Sequence, residues 1–455
     1  IFVALKGARS DGFDYHHEAV SRGTNIILCD VNHPYQEAQD KYPDVLFIPV
    51  PQPRYHFSLI LRRLNDQMPL HIAAVTGTNG KTSVADFTRQ ILTYMGLKAV
   101  SIGTIGIIAG QQKIIQHGHT TPDPEMLYPT LKQLKKDGFE YIIFEASSHG
   151  LAQFRLHGLD CKVGGFTNFS RDHLDYHATE DAYFAAKQLL FDDLVTRKGH
   201  AVIYKDDARS EDMQNAALRN ELSVTTIGQN ADISITKIEP TLSGQTIYVS
   251  YAGQEYDINL SLCGTFQASN ALIAAAMAAR LMDKDFVDIL PLLRKLKTVD
   301  GRMDLIGYHH GAAVYVDYAH TPDALEKAIT ALRPHCERRL LTLFGCGGDR
   351  DRGKRPEMGH IAESLSDYVI ITDDNPRTED PNHIHTDILK GCVTTDKISV
   401  IANREDALVF ALNMLSEGDI LLVAGKGHES GQDIGGIMHP FKDATVIRDI
   451  MQRAA

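Results

Sequence analysis

The chain has 455 residues, 43% of them hydrophobic and 23% charged, with a formal net charge of -12. That length predicts about three domains, since single cores stop growing near 250–300 residues, and no apolar run approaches the roughly 18 residues of a membrane span. The acidic balance argues against a nucleic-acid surface, while six cysteines (Cys29, Cys161, Cys263, Cys336, Cys346 and Cys392) spaced singly, without C-x-x-C, argue against a zinc site or redox pair and for a reducing cytoplasm.

Taken in chain order, Ile1 to Leu5 reads as a strand entered part-way along. No charged segment followed by an apolar stretch precedes it, so this is not a signal peptide, and the extreme N-terminus is expected to lie upstream of Ile1. Residues 1–68 alternate strand-like runs (Ile26 to Cys29, Val45 to Val50) with polar helical stretches. Pro49-Val50-Pro51-Gln52-Pro53 predicts a loop, because proline removes ladder donors, and His56 to Leu64 predicts a helix.

A second block, residues 69–300, opens with an apolar strand (Ile72 to Val75) that runs into Thr76-Gly77-Thr78-Asn79-Gly80-Lys81-Thr82 and then a helix. Strand, glycine-rich turn and helix N-terminus together make a phosphate cradle: backbone N–H groups and the positive end of the helix dipole face the oxygens. Lys81 can reach the terminal phosphates and the Thr82 hydroxyl can ligate Mg²⁺. The general pattern G-x-x-x-x-G-K-[ST] would place glycine at Val75; the first glycine here is Gly77. Tyr141 to Glu145 predicts a buried strand ending on a carboxylate that either bonds its own loop or holds Mg²⁺. Arg171-Asp172-His173-Leu174-Asp175-Tyr176-His177 is dense enough in titratable groups for a metal or phosphate environment. Lys187 lies in the apolar helix Tyr183 to Leu190, and from the residues alone its stem snorkels and its ammonium reaches water. Thr246 to Tyr251 and Glu255 to Leu260, around Ala252-Gly253, alternate as a hairpin. An apolar helix follows from Ala268 to Met282.

The third block, residues 301–455, repeats strand then helix: Ala313 to Val316, Leu340 to Phe344, Tyr368 to Thr372 and Ile420 to Ala424. Such alternation predicts an α/β chain with parallel sheets covered on both faces, in which ligands sit beyond the carboxyl ends of the strands. The conspicuous motifs all lie there. Besides the phosphate loop they are Glu145–Gly150, Asp317-Tyr318-Ala319-His320, Gly345–Arg350, Asp373-Asp374-Asn375-Pro376-Arg377 and Gly425-Lys426-Gly427-His428-Glu429. Arg302 can reach a triphosphate across a cleft or clamp two domains. The loops rich in Asp, Arg and Gly suit a zwitterionic ligand, because arginine pairs carboxylate bidentately.

Together these motifs resemble the Mur ligase family, ATP-dependent amide-forming enzymes of peptidoglycan assembly. The likeness runs through the phosphate loop, Glu145–Gly150, Asn168–His177, the helix around Lys187, Asn270, Gly301-Arg302 and Asp317–Thr321, and covers nearly the whole chain. It implies three domains: an N-terminal UDP-binding domain (1–68), a central ATPase domain with a P-loop-like parallel sheet (69–300) and a C-terminal Rossmann-like domain (301–455). By carry-over, Gly77, Thr78, Asn79, Gly80, Lys81, Thr82, Asn270, Arg302 and Asp317 would bind ATP. Thr82, Glu145, His173 and a carbamylated Lys187 would hold Mg²⁺, with Lys81, Lys187 and His173 catalytic. Thr120, Thr121, Ser148, Gln153 and Arg155 would contact the UDP-muramoyl peptide. Within the family, Asp374-Asn375-Pro376-Arg377 resembles the pocket of members that add meso-diaminopimelate to UDP-N-acetylmuramoyl-L-alanyl-D-glutamate, with Arg350, Asp374, Asn375, Arg377, Gly425 and Glu429 binding the amino acid. Pro122 stands where some relatives have glycine. The expected partners are ATP, the UDP-muramoyl dipeptide and diaminopimelate, on a monomer in the cytoplasm. A lysine-adding homologue, a folylpolyglutamate synthetase-like ligase and a silent nucleotide-binding regulator are the alternatives.

Overall fold

The computed structural model of the protein describes residues 1–7, 10–110, 112–115, 119–241, 244–394 and 396–454. Its strands form sheets of 3, 11, 6 and 2 strands, the mixed α/β architecture that the strand–helix alternation predicts. The first sheet is parallel, Phe2–Val3 beside Ile26–Asp30 beside Leu46–Val50, over a small core of Phe13, Ile27, Cys29, Val45 and Phe47. Pro49, expected in a loop, instead pairs with Cys29 inside the strand. Among the described strands this one is an edge with one partner, where a missing N–H breaks no ladder. The helix Pro53–Leu64 then leans on the helix Pro124–Lys136 of the next block.

The 11-stranded sheet centres on His71–Thr76, flanked in parallel by Tyr141–Glu145 and Cys161–Phe166. Both faces of this strand are covered: Ala73 and Val75 point into one core, Ile72 and Ala74 into another. That is why the run reads as continuously apolar rather than alternating. Parallel pairing does not continue to the edges. The expected hairpin, Gly244–Tyr251 with Gln254–Leu260, extends one end in antiparallel register, and Gly106–Ala109 folds back on Ala99–Gly103 at the other. The helix Thr265–Leu281 is buried on nearly every side and packs against the helix Lys81–Tyr94. Its run of alanines allows that close approach, and residues 271–279, apolar on every face, belong inside.

The third sheet has the order Asp304–His309, Ala312–Asp317, Ile420–Ala424, Leu340–Phe344, Tyr368–Ile371, Ile398–Val400, parallel except for its first pair. Its last strand in chain order, Ile420–Ala424, inserts between two earlier ones. The loops after four strands therefore converge at the carboxyl edge, where open α/β sheets build crevices. The antiparallel hairpin Gly431–Ile434 with Ile437–Pro440 covers that edge.

Candidate active site

The phosphate loop owes its shape to what packs on it. Gly80, in left-handed conformation (φ 83°), precedes the helix at Lys81, and a side chain there would come within 2.6 Å of Asn270 Oδ1. A Cβ at Gly77 would overlap the Thr167 hydroxyl. Asn168 accepts from the Thr78 N–H at 2.8 Å through its carbonyl and from the Asn79 N–H at 3.0 Å through its side chain. This leaves the helix-start N–H groups beyond Gly80 for a ligand. Lys81 curls over the loop, donating to the Gly77 carbonyl at 2.8 Å and the Thr78 carbonyl at 2.7 Å. Burial pushes its pKa down, Glu145 and Asp172 draw it back up, and Arg302 adds repulsion, so these groups share one neighbourhood.

Glu145 is 2% exposed and takes hydrogen bonds from the Thr82 hydroxyl (2.9 Å), the Thr104 N–H (2.8 Å) and the Thr104 hydroxyl (3.1 Å). Both earlier alternatives for it therefore coexist: it is bonded to its surroundings, and it stands beside the Thr82 hydroxyl as a pair of oxygen donors of the kind a hard cation takes. Magnesium fits that pair. Among the described residues, no three His, Cys, Asp or Glu side chains form a ready metal group. His173 adopts φ 52° at the start of the turn Leu174–His177, with its ring 5.0 Å from His149 and 5.8 Å from Tyr183.

Lys187 corrects the expectation drawn from the residues alone. It does not snorkel: it is 1% exposed, donates to the Gly77 carbonyl at 2.7 Å and lies 4.3 Å from the centre of the Tyr183 ring. Burial, then the neighbouring Lys81, holds its pKa well below that of a free lysine. The apolar helix delivers this amine to the phosphate loop rather than to water.

Across the cleft, Arg302 stacks on Tyr318 at 4.4 Å, and its buried Nε has no hydrogen-bond partner among the described residues. A guanidinium N–H in that state is a donor suited to an anion. Asp317 accepts from the Met303 and Ala319 N–H groups at 2.6 and 2.8 Å, and burial pushes its carboxyl up. Asp323, on the helix Pro322–Leu332, takes a hydrogen bond from Asn79 at 2.9 Å and from Ser170 at 3.3 Å, tying the third sheet's first helix to the phosphate loop. Asp323 was not singled out from the sequence; no local pattern marks a partner more than 200 positions away.

The five residues expected at the muramoyl peptide form one ledge beside Glu145. Thr120 and Thr104 hydroxyls meet at 3.1 Å. The buried Thr121 hydroxyl donates to the Glu145 carbonyl at 2.7 Å, Ser148 meets His177 at 3.0 Å, and Gln153 spans Tyr176 and Arg155. Arg155 also reaches the Thr121 carbonyl at 2.6 Å and Asp123 at 3.2 Å. A further cleft in the first sheet, lined by Lys6, Asp11, Asn32, His33 and Arg54, went unread because its groups come from separate short segments.

The amino-acid motifs also converge. A side chain at Gly347 would meet Arg377 Nη1 at 2.8 Å and Arg350 Cγ at 3.6 Å, so both arginines flank one loop. Arg377 has φ 53°, and its backbone is clamped between Asp433 and Gly435 of the covering hairpin. Below it, Asn375 donates to Asp374 at 3.0 Å and to Glu429 at 2.9 Å, and Gly425 lets Asp374 approach. Two buried arginines missed from the sequence hold these loops through ion pairs. Arg404 binds Asp443 at 2.7 Å and the Asp373 and Ala424 carbonyls. Arg355 grips Glu379 at 2.7 Å and Asp387 at 3.0 Å.

Hydrogen bonding from Arg355 lowers the Glu379 carboxyl from its ordinary 4.5 to about 2. A depressed folded pKa contributes stability above the unfolded value, and that stability is lost as pH falls through the folded one. Melting followed from pH 7 to pH 3 should therefore show Glu379→Gln clearly less stable than the parent at pH 7, with the gap closing below about pH 4.5. A gap independent of pH would refute this.

Comparison with known proteins places this geometry. Residues 75–278 match the Mur ligase middle domain, and residues 301–427 match the Mur ligase glutamate ligase domain. A UDP-N-acetylmuramoyl-L-alanyl-D-glutamate–2,6-diaminopimelate ligase of Agrobacterium fabrum is 42% identical over 99% of this chain and 90% of its own length. The chain belongs to the Mur ligase family. A ligase of the same description from Bradyrhizobium diazoefficiens is 43% identical over 97% of this Mur ligase and 90% of its own length. A solved structure of that description superposes with a TM-score of 0.69 at 31% identity, over 95% of this chain and 94% of the other. Mycobacterium tuberculosis folylpolyglutamate synthase complexed with ADP superposes with a TM-score of 0.67 over 82% of this chain and 91% of its own, at 18% identity, which extends the likeness to the fold alone.

Proposed function

We propose that this Mur ligase joins meso-diaminopimelate to UDP-N-acetylmuramoyl-L-alanyl-D-glutamate with hydrolysis of ATP, in the cytoplasm, where ATP and nucleotide sugars are made. The observation that carries the reading is the pocket of opposed charges: Arg350 and Arg377 flank one loop, with Asp374 and Glu429 joined by Asn375 below it. That is the complement of a zwitterionic amino-acid end. The relatives' names agree with it.

A carboxylate is a poor acylating agent, so the D-glutamyl side-chain carboxylate first attacks the γ-phosphorus of ATP and ADP leaves. The diaminopimelate amine then adds to the acyl phosphate, and the tetrahedral intermediate expels inorganic phosphate. Lys81 and the helix-start N–H groups neutralise charge on the transferring phosphoryl group, and Arg302 holds the nucleotide from the opposite wall. Asp317 fixes the backbone that carries Arg302. Thr82, Glu145, His173 and a carbamate on Lys187 would hold Mg²⁺, which supplies further neutralisation of phosphate charge. The cleft at Lys6, Asp11, Asn32, His33 and Arg54 suits the uridine diphosphate end, since it sets donors and acceptors beside one another. The decisive experiment is phosphate release from ATP with the UDP-muramoyl dipeptide, with diaminopimelate against lysine. No amino-acid-dependent release would favour a silent nucleotide-binding protein.

The carbamate has its own test. A buried amine held neutral can attack CO2, forming an N–C bond and losing a proton, and the product is an anionic oxygen ligand where an ammonium would repel a cation. Intact mass in bicarbonate should show one CO2 adduct, absent in Lys187→Ala. That variant should lose roughly 10²-fold in turnover and recover partly with added short carboxylates. Full activity in Lys187→Ala would remove Lys187 from the site.

A further inference from the structure

The amino-acid pocket contains a buried positive charge to which neither the motif expectations nor the mechanism assigns a part. Lys426 is fully buried, and its ammonium donates to Asn375 Oδ1 at 3.2 Å, Glu429 Oε2 at 3.0 Å and the Gly431 carbonyl at 2.7 Å. An ammonium has three donors and no acceptor, so all its hydrogen-bonding capacity is used and its position is fixed.

That saturation decides the state of Asn375. Side-chain amides can face either way, and the network chooses. Here Asn375 Oδ1 meets two groups that can only donate, Lys426 Nζ and the Asp433 N–H at 2.9 Å. The amide nitrogen must then face Asp374 Oδ1 at 3.0 Å and Glu429 Oε2 at 2.9 Å. All four hydrogen-bonding positions of Asn375 are thus engaged within the protein. A residue expected at the amino acid is thus also a tie between two carboxylates.

We infer that Lys426 is the positioning residue of the amino-acid pocket: it turns the Asn375 amide and anchors Glu429, so that Asp374 Oδ2 and Glu429 Oε1 are presented together to the ammonium of a zwitterionic amino acid. Among the described residues, neither of those two oxygens takes a hydrogen bond. This rests on the reading of the pocket as an amino-acid site and deepens it. Recognition of the ammonium then belongs to the carboxylate pair, recognition of the carboxylate to the arginines, and Lys426 balances the charge of the pair from behind.

The surroundings of Asp374 supply a readout that loop stability alone would not move. Burial pushes its carboxyl up, Glu429 and Asp443 add to this, and Arg404 and Lys426 pull it down. Removing Lys426 removes one downward pull, so Asp374 should take its proton at higher pH.

The test compares Lys426→Met and Lys426→Gln with the unmodified protein, by phosphate release and by melting in the presence of ATP. Both variants should keep their KM for ATP within about threefold, while KM for diaminopimelate rises roughly 10–100-fold, the scale of losing a hydrogen bond to a buried charge. The acid limb of kcat/KM for diaminopimelate should move to higher pH. Lys426→Gln keeps a donor for Gly431 and covers the case in which Lys426→Met does not fold. A folded variant with unchanged diaminopimelate KM and acid limb overturns the inference, as does an equal loss toward every substrate. Failure of both variants to fold would make Lys426 a structural group only, and overturns it too. If the unmodified protein itself releases no phosphate with diaminopimelate, the reading of function fails instead, and the two failures are separable.

Discussion

Lysine offered in place of meso-diaminopimelate should be used about 10⁴-fold less efficiently, the discrimination reached by sites whose buried polar groups lose a partner. The two amino acids share a chain and a reacting amine; diaminopimelate adds a second carboxylate and so a second zwitterionic end. Arg377 is held for that end by its backbone. With φ 53° it sits in a conformation that costs a non-glycine residue of order 1 kcal/mol or more, and the clamp from Asp433 and Gly435 over-determines it. Its guanidinium is partly committed to the Gly348 carbonyl at 2.8 Å, which aims the remaining N–H groups. Arg377→Ala should raise KM for diaminopimelate by about 10²-fold or more while leaving KM for ATP nearly unchanged, since removing one partner of a charge-assisted pair costs several kcal/mol. Equal use of lysine by the unmodified protein would point instead to a lysine-adding enzyme.

Replacing Lys81 by alanine should lower ATP turnover by roughly 10²–10³-fold, the cost of removing one preorganised group that stabilises charge in the transition state. Lys81 is the cation within the loop itself, tethered over the Gly77 and Thr78 carbonyls. The loss should appear in kcat more than in KM for the amino acid, because the two sites are built on different sheets. Single-turnover phosphate release separates the steps. Near-normal turnover in Lys81→Ala would place phosphoryl transfer elsewhere.

What could be read from the chain follows from how local each signal is. The phosphate loop was legible because strand, glycines, lysine and helix are consecutive, and the helix Thr265–Leu281 was legible because residues 271–279 form an unbroken apolar run in its middle. Lys187 was not legible from its own helix. Snorkelling is the ordinary fate of a lysine among apolar neighbours, and only the Gly77 carbonyl, 110 positions away, shows where this amine goes. The resemblance to the Mur ligases supplied a role for it that composition could not. Arg404, Asp443 and the Arg355–Glu379 pair carry no sequence signature, and Lys426, though inside a conspicuous motif, had no role readable from it, since charged residues at strand and helix ends are ordinarily solvated. Their burial is a property of three loops meeting. Asn375 shows the converse: its motif marked it, while the four bonds within the protein that orient its amide could be read only from the structure.

The proposed amino-acid pocket draws its charged groups from residues 350–429, on loops at one edge of a single sheet. The phosphate loop belongs to another sheet, and Asp323, bonded to Asn79 and Ser170, joins the two. If the pocket selects the amino acid as proposed, substrate choice is a cassette separable from the phosphate loop. A lineage could exchange the acceptor amino acid by altering the pocket loops and their hidden ion pairs together, without retuning the phosphoryl chemistry. An inhibitor aimed at the pocket would meet resistance through that cassette alone, whereas one bridging Arg302 and the phosphate loop would require change on two different sheets at once.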